Sequence, residues 1–268
     1  MNKLCLLSLV IGLVSQSAWA ETAVKPASNA STLQAKNAFI ANLMKQMTLD
    51  EKIGQLRLIS IGPEMPKSEI VKEIAAGRIG GTFNSVVLPD NRAMQDAAVA
   101  HSRMKIPMFF AYDVIHGQRT IFPISLGLAS TWDMDAVTRA GRVSAIEAAA
   151  DGVDMTFAPM VDITRDARWG RSSEGFGEDT YLVSRLSATM TRAFQGTSTQ
   201  APNSIMAAVK HFALYGAVEG GRDYNTVDMS PVRMQQDYLP PYRAAIDAGA
   251  GGVMVALNSV NGVPSTAN

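Results

Sequence analysis

The chain has 268 residues, with 24 basic and 24 acidic side chains, a formal net charge of +0 and 47% hydrophobic residues. This content is enough for a buried core, arranged as one large domain or two small ones. A balanced charge without a basic block argues against nucleic acid or an anionic membrane surface as the main partner.

Residues 1–20 have the pattern of a secretory signal peptide. Lys3 supplies a basic start, the apolar run LCLLSLVIGLV is too short to span a bilayer, and small residues stand at Ala18 and Ala20. Cleavage after Ala20 would remove Cys5, the one cysteine of the chain, so the mature protein would owe nothing to disulfides. A buried N-terminal helix is the alternative interpretation. We therefore expect an exported protein that has no membrane segment after cleavage.

Residues 21–47 are predicted to form a lead-in segment and a first helix. The stretch 21–35 is polar, small and without a hydrophobic period, which indicates a flexible segment. Thr48 and Glu51 then have the spacing of a helix capping box. We place the start of the main domain at this box, so that the domain comprises residues 48–268.

Short apolar stretches alternate with amphipathic ones along this domain. The predicted strands are 55–61, 81–87, 108–114, 155–163, 205–212 and 251–258. The clearest helical patterns are 133–152, with a cap at Asp133, 179–196, with a cap at Asp179, and 230–249, broken at Pro240–Pro241. Continuously apolar strands joined by helices predict a parallel sheet covered by helices.

Six such units in series favour a TIM-like (β/α) barrel, truncated after about six β/α units, over a doubly wound sheet. A dinucleotide-binding fold would need the G-x-G-x-x-G spacing after its first strand. The residues at that place are GPEMPK, so this alternative fails.

Polar side chains gather at the predicted carboxyl ends of the strands, where barrels place their chemistry. They are Asp113, His116 and Arg119 after strand three, Asp162, Arg165, Arg168 and Arg171 after strand four, Lys210 and His211 after strand five, and Asn258 after strand six. Each one alone could be a structural salt bridge or a cap. Together they suit a ligand rich in hydroxyl groups, because every hydroxyl both donates and accepts.

Four ordered motifs carry a family resemblance. YDVIHGQRTIFPISLGLAST, APMVDITRDARWGRSSEGFGED, VKHFALYGAVEGGRDYNTVDMS and VMVALNSVNGVP resemble successive motifs of glycoside hydrolase family 3, and within it the bacterial periplasmic β-glucosidases. The resemblance implies a retaining exo-acting β-glucosidase of the periplasm, which releases terminal β-D-glucose from short β-linked glucosides or oligosaccharides and needs no cofactor. A non-catalytic sugar-binding remnant and a β-xylosidase on the same scaffold are the alternatives.

The resemblance also implies which residues bind the terminal sugar. They are Asp113, Arg119, Arg171, Lys210, His211 and Met254. The Asp113 carboxylate would receive sugar hydroxyls, and Arg171 would grip them beside it. Neighbours on a strand point to opposite faces, so Lys210 and His211 can enter one pocket only where the backbone leaves ideal strand geometry. The family motif at this pair is associated with non-proline cis peptides.

No catalytic residue is expected within the chain as given. The resemblance places the nucleophilic aspartate in a Ser–Asp motif beyond Asn268 and the acid/base in a following domain, so we expect these 268 residues to be inactive alone.

Glu219 and Asp223 are candidate carboxylates, for which solvated loop charges are the simpler interpretation. No histidine follows His211, which disfavours the N-acetylglucosaminidase branch. The histidines at 101, 116 and 211 form no zinc-binding pattern.

The first prediction concerns the mature N-terminus. If residues 1–20 are a signal peptide, the protein purified from its native host will begin at Glu21 and will be released with the periplasmic fraction. N-terminal sequencing of that protein checks the site, and an intact Met1 would contradict it.

Overall fold

The computed structural model describes residues 29–268, so the predicted signal peptide and residues 21–28 lie outside the described residues. Helix α1 (Asn29–Gln46) forms a unit separate from residues 47–268. The helix begins inside the stretch 21–35 that was predicted to be flexible, and that prediction is therefore wrong from Asn29 onward. Alanine, leucine, glutamine and lysine favour a helix here despite the weak hydrophobic period.

The remaining elements alternate between helices and short strands. The helices of this unit are α2 (Leu49–Gln55), α3 (Lys67–Ala75), α4 (Leu88–Asp96), α5 (Ser125–Ala129), α6 (Met134–Ala150), α7 (Thr180–Gln195), α8 (Pro231–Arg233) and α9 (Pro240–Asp247). The strands are β1 (Leu58–Ser60), β2 (Gly81–Phe83), β3 (Phe109–Tyr112), β4 (Met155–Thr156), β5 (Met206–Phe212), β6 (Thr226–Val227), β7 (Gly252–Val255), β8 (Ser259–Val260) and β9 (Val263–Pro264).

Six of these strands form one parallel sheet in the order β1-β2-β3-β4-β5-β7. Each strand pairs with its predecessor in that series, whereas a doubly wound sheet would reverse direction at a switch point. The sheet curls into part of a barrel with helices outside it. The predicted truncated barrel and its six strands are therefore confirmed, although every strand is shorter than its apolar run.

Strand β4 shows why the predicted ends extend too far. The prediction covered residues 155–163, but regular pairing ends at Thr156. Pro159 has no N–H to donate to the ladder. Pairing resumes irregularly beyond it, where the Lys210 N–H donates to the Pro159 carbonyl at 3.1 Å and the Val161 N–H donates to the Lys210 carbonyl at 2.9 Å. The apolar composition of residues 155–163 indicates that they are buried, whereas regular strand pairing ends at Thr156.

The predicted helix ends agree with the structure. Asp133 accepts from the Ala136 N–H at 2.9 Å, and Asp179 accepts from the Leu182 N–H at 2.6 Å. Each side-chain oxygen satisfies a backbone N–H that the first helical turn leaves open. The third helical stretch is interrupted, since a π-helical turn at Met234–Tyr238 separates α8 from α9 just before Pro240.

Two apolar layers surround the sheet strands. The larger core packs α7 and α9 against the outer side of β5 and α6 against α7, with Val137, Leu186, Phe194 and Val209 fully or almost fully buried. The inner side carries Ala111, Phe157 and Ala208, against which Phe83, Met155 and Met254 pack. These layers hold β3, β4, β5 and β7 side by side, so their carboxyl ends meet at one rim.

Some elements had no clear signal in the sequence. The short strands β6, β8 and β9 form a second sheet next to the rim, with β6 parallel to β8 and β8 antiparallel to β9. Their two-residue length leaves no period to detect. Within the described residues, no helix combines the length and the apolar character that crossing a bilayer requires.

The capping box at Thr48 generates a pH prediction. Glu51 accepts from the Thr48 N–H at 2.8 Å and from Arg103 Nε at 2.9 Å, and these contacts lower the pKa of Glu51 from 4.5 to about 2, with the Arg103 hydrogen bond as the main cause. Since the folded pKa lies below the unfolded one, this stabilisation is complete above pH 4.5 and is lost as the pH falls towards 2.

Glu51→Gln should therefore destabilise the protein most near pH 7, and its difference from wild type should shrink between pH 4.5 and pH 2. Urea unfolding at a series of pH values measures this difference. The control is Glu64→Gln, since Glu64 is exposed and makes no hydrogen bond or ion pair with the described residues. A Glu51→Gln effect that stays constant from neutral to acidic pH would show that the ion pair does not contribute.

Candidate functional site

The rim of the sheet brings together residues that are far apart in the chain. Lys210 near the end of β5 donates from Nζ to Asp113 Oδ1 at 2.8 Å, and Asp113 directly follows β3. The Lys210 side chain is 4% exposed, whereas that of Asp113 is 49% exposed. Asp113 Oδ2 has no hydrogen-bond partner among the described residues. The pair therefore leaves one carboxylate oxygen open to accept from a ligand.

A second ion pair adjoins the first. Arg171 donates from Nε to Glu174 Oε1 at 2.6 Å and from Nη2 to Oε2 at 2.8 Å, while Lys210 Nζ lies 3.8 Å from Glu174 Oε2. Burial raises the pKa of Glu174, but the Arg171 hydrogen bond and charge, with smaller contributions from Lys210 and His211, lower it overall. The charges alternate in sign along the row Asp113, Lys210, Glu174, Arg171, which we call the rim cluster.

Hydrogen bonds to Asp162, which is not part of the rim cluster, hold His211 in place. Its Nδ1 lies 2.9 Å from Asp162 Oδ2, and its backbone N–H donates to the same oxygen at 3.0 Å. The Tyr242 hydroxyl from α9 lies 2.7 Å from Asp162 Oδ1. All three residues are buried. The imidazole is thus fixed by hydrogen bonds on one edge.

Aromatic rings pack against His211 and Arg171. The Tyr215 ring meets the His211 ring edge to face at 5.1 Å between centroids and the Trp169 ring at 5.2 Å, and the Arg171 guanidinium lies 5.7 Å above it. Trp169 Nε1 in turn donates to Asp223 Oδ1 at 3.0 Å. Burial and the nearby Asp223 charge raise the pKa of Tyr215. The Tyr215 ring is therefore a neutral platform beneath the Arg171 guanidinium and beside the His211 ring.

The backbone at the end of β5 departs from ideal strand geometry. The peptide bonds Lys210–His211 and Phe212–Ala213 are cis, and the register between β5 and β7 shifts between Val209 and Phe212. The two neighbouring side chains reach different polar partners, Asp113 for Lys210 and Asp162 for His211. The predicted departure from strand geometry and the expected cis peptides are confirmed.

Two residues that were predicted to bind the sugar contact groups outside the rim cluster. Arg119 is exposed and pairs with Asp151 at the end of α6, and none of its hydrogen bonds or ion pairs within the described residues reaches Asp113 or Arg171. Met254 packs against the inner apolar layer around Ala111 and Ala208. A sugar contact by Arg119 or Met254 remains a prediction from the resemblance.

The other arginines of the loop after β4 brace it. Arg165 donates to Asp237 at 2.7 Å, and Arg168 donates from Nε to Asp166 at 2.9 Å. Arg171, the third arginine of this loop, instead lies next to Lys210 through Glu174. Within residues 29–268, no group of three His, Cys, Asp or Glu side chains could hold a metal ion.

Sequence reasoning missed several supporting residues. Asp162 was noted as a strand end, but its contact with His211 was not foreseen, and Tyr242 and Tyr215 were not considered. Tyr242 follows Asp162 by 80 residues, and helices α7 and α8 lie between them in the sequence. No local spacing could therefore have indicated the pair. Asp223, taken as a solvated loop charge, is exposed but also accepts from Trp169.

Comparison with known proteins decides the family. Residues 48–268 match the model of the glycosyl hydrolase family 3 N terminal domain. The chain belongs to glycoside hydrolase family 3. It is 58% identical over 268 residues to a periplasmic beta-glucosidase of Salmonella typhimurium, covering 100% of this chain and 35% of that protein. It is also 32% identical over 242 residues to a beta-xylosidase of Formosa agariphila, covering 85% of this chain and 28% of that protein.

Solved members of family 3 have the same fold. The beta-glucosidase of Listeria innocua in complex with glucose superimposes with a TM-score of 0.79 at 41% identity, over 85% of this chain and 34% of that one. The exo-1,3/1,4-beta-glucanase of a Pseudoalteromonas species gives a TM-score of 0.77 at 28% identity, over 86% of this chain and 31% of that one. The chain thus spans about a third of the length of these family 3 relatives.

A glycine contact behind the site gives a stability prediction. A Cβ on Gly216 would lie 2.3 Å from the Ile163 carbonyl oxygen, so Gly216→Ala must push the loop after β5 away from the loop after β4. We expect a loss of about 1–3 kcal/mol in the free energy of unfolding. Gly170→Ala is the matched control, because a Cβ there meets nothing within 4 Å. Urea unfolding of both variants tests the prediction, and equal stabilities would contradict it.

Proposed function

We propose that the protein containing this chain is a retaining exo-acting β-glucosidase of the periplasm, releasing terminal β-D-glucose from short β-glucosides and oligosaccharides. The observation that carries the proposal is the rim cluster. It sets an accessible carboxylate beside Lys210 and close to Arg171 at the carboxyl end of a family 3 barrel. A sugar ring with adjacent hydroxyls can donate to the carboxylate and accept from the cations in one orientation.

Each group of the cluster has a separate role in this proposal. Lys210 holds Asp113 Oδ1, so Asp113 Oδ2 is presented to the ligand as a pure acceptor. Glu174 engages Arg171 at Nε and Nη2, which fixes the guanidinium plane and leaves its remaining N–H groups for hydroxyls. The sugar is then positioned by side chains that are already ordered before it binds, which lowers the entropic cost of reaching the transition state.

The chemical step needs groups outside the rim cluster. A retaining glycosidase uses two carboxyl groups roughly 5 Å apart, one as nucleophile and one as acid/base. Asp113 and Glu174 are each engaged by a cation, which suits binding better than reaction. We propose that the nucleophilic aspartate comes from sequence beyond Asn268 and the acid/base from a following domain, and that these 268 residues alone do not hydrolyse glycosides.

The relatives support glucose as the terminal sugar. The protein from Salmonella typhimurium, with 58% identity, is named a beta-glucosidase, whereas the beta-xylosidase relative has 32% identity. Parallel assays with p-nitrophenyl β-glucoside and p-nitrophenyl β-xyloside separate these two activities. A protein that binds glucose but turns over neither substrate would support the alternative of a non-catalytic sugar-binding remnant.

Asp113→Asn tests the proposed carboxylate. The substitution keeps the size of the side chain but removes its charge, and it can place an amide donor where an acceptor is needed. In the full-length protein we expect kcat/KM for p-nitrophenyl β-glucoside to fall roughly 100-fold or more, with an unchanged fold by circular dichroism.

Asp90→Asn is the matched control. Asp90 also accepts from a lysine, Lys67, at 2.6 Å, but this pair lies outside the rim cluster on α3 and α4. We expect its kcat/KM to stay within about twofold of wild type. A loss below about tenfold in Asp113→Asn would show that Asp113 does not contact the sugar.

A further inference from the structure

A buried chain of hydrogen bonds runs from helix α9 to the rim through Tyr242, Asp162 and His211. The Tyr242 hydroxyl lies 2.7 Å from Asp162 Oδ1 and 2.6 Å from the His211 carbonyl oxygen, so it contacts both ends of the Asp162–His211 pair. The Asp162 side chain has 0% exposure and that of His211 has 2%. These hydrogen bonds are therefore shielded from water, which would otherwise compete for the same groups.

The contacts of Asp162 Oδ2 determine where the imidazole carries its proton. This oxygen accepts from the His211 backbone N–H at 3.0 Å, and an amide N–H can only donate. Oδ2 is thus an acceptor whether or not Oδ1 carries a proton. The same oxygen lies 2.9 Å from His211 Nδ1, which must therefore be protonated. In neutral His211 the lone pair is then on Nε2.

The His211 ring lies next to the side chains of the rim cluster. Nε2 has no hydrogen-bond partner among the described residues, while Nδ1 is occupied. The ring lies against Tyr215, over which the Arg171 guanidinium also lies. The neighbouring Lys210 ammonium and the Arg171 guanidinium can only donate.

We propose that Asp162 is a positioning residue that sets the tautomer of His211, so that Nε2 accepts a hydrogen bond from one hydroxyl of the terminal sugar. The proposal rests on the proposed β-glucosidase function for the identity of the ligand. It adds a second acceptor, besides Asp113 Oδ2, to the donors Lys210 and Arg171. The site can then recognise a further hydroxyl of the sugar by its proton, and it would disfavour a substituent at that position that can only accept.

The tautomer can be measured without any activity. The full-length protein is labelled with ¹⁵N-histidine, and the His211 ring signals are assigned by their loss in His211→Asn. Long-range ¹H–¹⁵N correlation spectra at a pH where His211 is neutral should show a protonated Nδ1 and an unprotonated Nε2. The opposite tautomer, or a mixture of the two in wild type, would overturn the proposal even if the enzyme hydrolyses glucosides.

Inhibition by glucose tests the consequence for binding. We expect Asp162→Ala to raise the Ki of glucose roughly tenfold or more. Asp162→Asn should stay within about threefold, because its amide oxygen can accept from both His211 N–H groups while its NH₂ donates to Tyr242. Asp154→Ala is the matched control, since Asp154 accepts a backbone N–H from Phe110 at 2.9 Å without contacting His211. Its Ki should equal that of wild type.

A double-mutant cycle separates positioning from a general loss of structure. If Asp162 acts through His211, then Asp162→Ala should change the Ki of glucose by less than about twofold in a His211→Ala background. Additive effects of the two substitutions would overturn the proposal. A loss of about threefold or more in Asp162→Asn with an unchanged tautomer would do the same, and this variant remains informative if Asp162→Ala does not fold.

A panel of deoxyfluoro-D-glucoses identifies the hydroxyl concerned. Fluorine can accept weakly but cannot donate, so at one ring position it should weaken inhibition in wild type, and this penalty should shrink in Asp162→Ala. Equal penalties in both proteins at all positions would contradict an acceptor role for Nε2.

Discussion

The backbone pairing of Lys210 with the segment after β4 is the constraint on which the site depends. Lys210 donates to the Pro159 carbonyl and accepts from the Val161 N–H, which continues the sheet past the point where regular pairing ends. This irregular pairing brings Asp162 next to His211 and leaves the Lys210 side chain directed at Asp113. Without it, two successive residues of one strand would face opposite sides of the sheet.

Burial of the Lys210 side chain imposes a second requirement. An ammonium group that is 4% exposed needs compensating negative charge, and Asp113 and Glu174 provide it at 2.8 and 3.8 Å. Removing Asp113 or Glu174 would leave the buried ammonium with less compensating charge, which is unfavourable for a charge withdrawn from water. The same groups proposed to bind the sugar thus also hold the rim together. Binding and stability are coupled at these positions, and a variant must be checked for both.

The sequence predicts the fold more completely than the site. Apolar runs marked all six sheet strands because burial on both faces leaves few polar residues within them. The runs could not mark where pairing stops, since Pro159 is buried but cannot donate to the ladder. Motifs indicated Asp113, Arg171, Lys210 and His211, which contact one another directly or through Glu174 and Tyr215. They could not indicate that Tyr242 reaches Asp162 across 80 residues, or that Arg119 pairs with Asp151.

The alternation of charge along the rim cluster has a kinetic consequence. Asp113 and Glu174 are balanced by Lys210 and Arg171, so the cluster has no net charge and its field cancels within a short distance. A neutral sugar would gain nothing from long-range electrostatic steering, and this site offers none. Capture therefore depends on contacts made after the ligand has entered, and the association rate should be nearly independent of ionic strength.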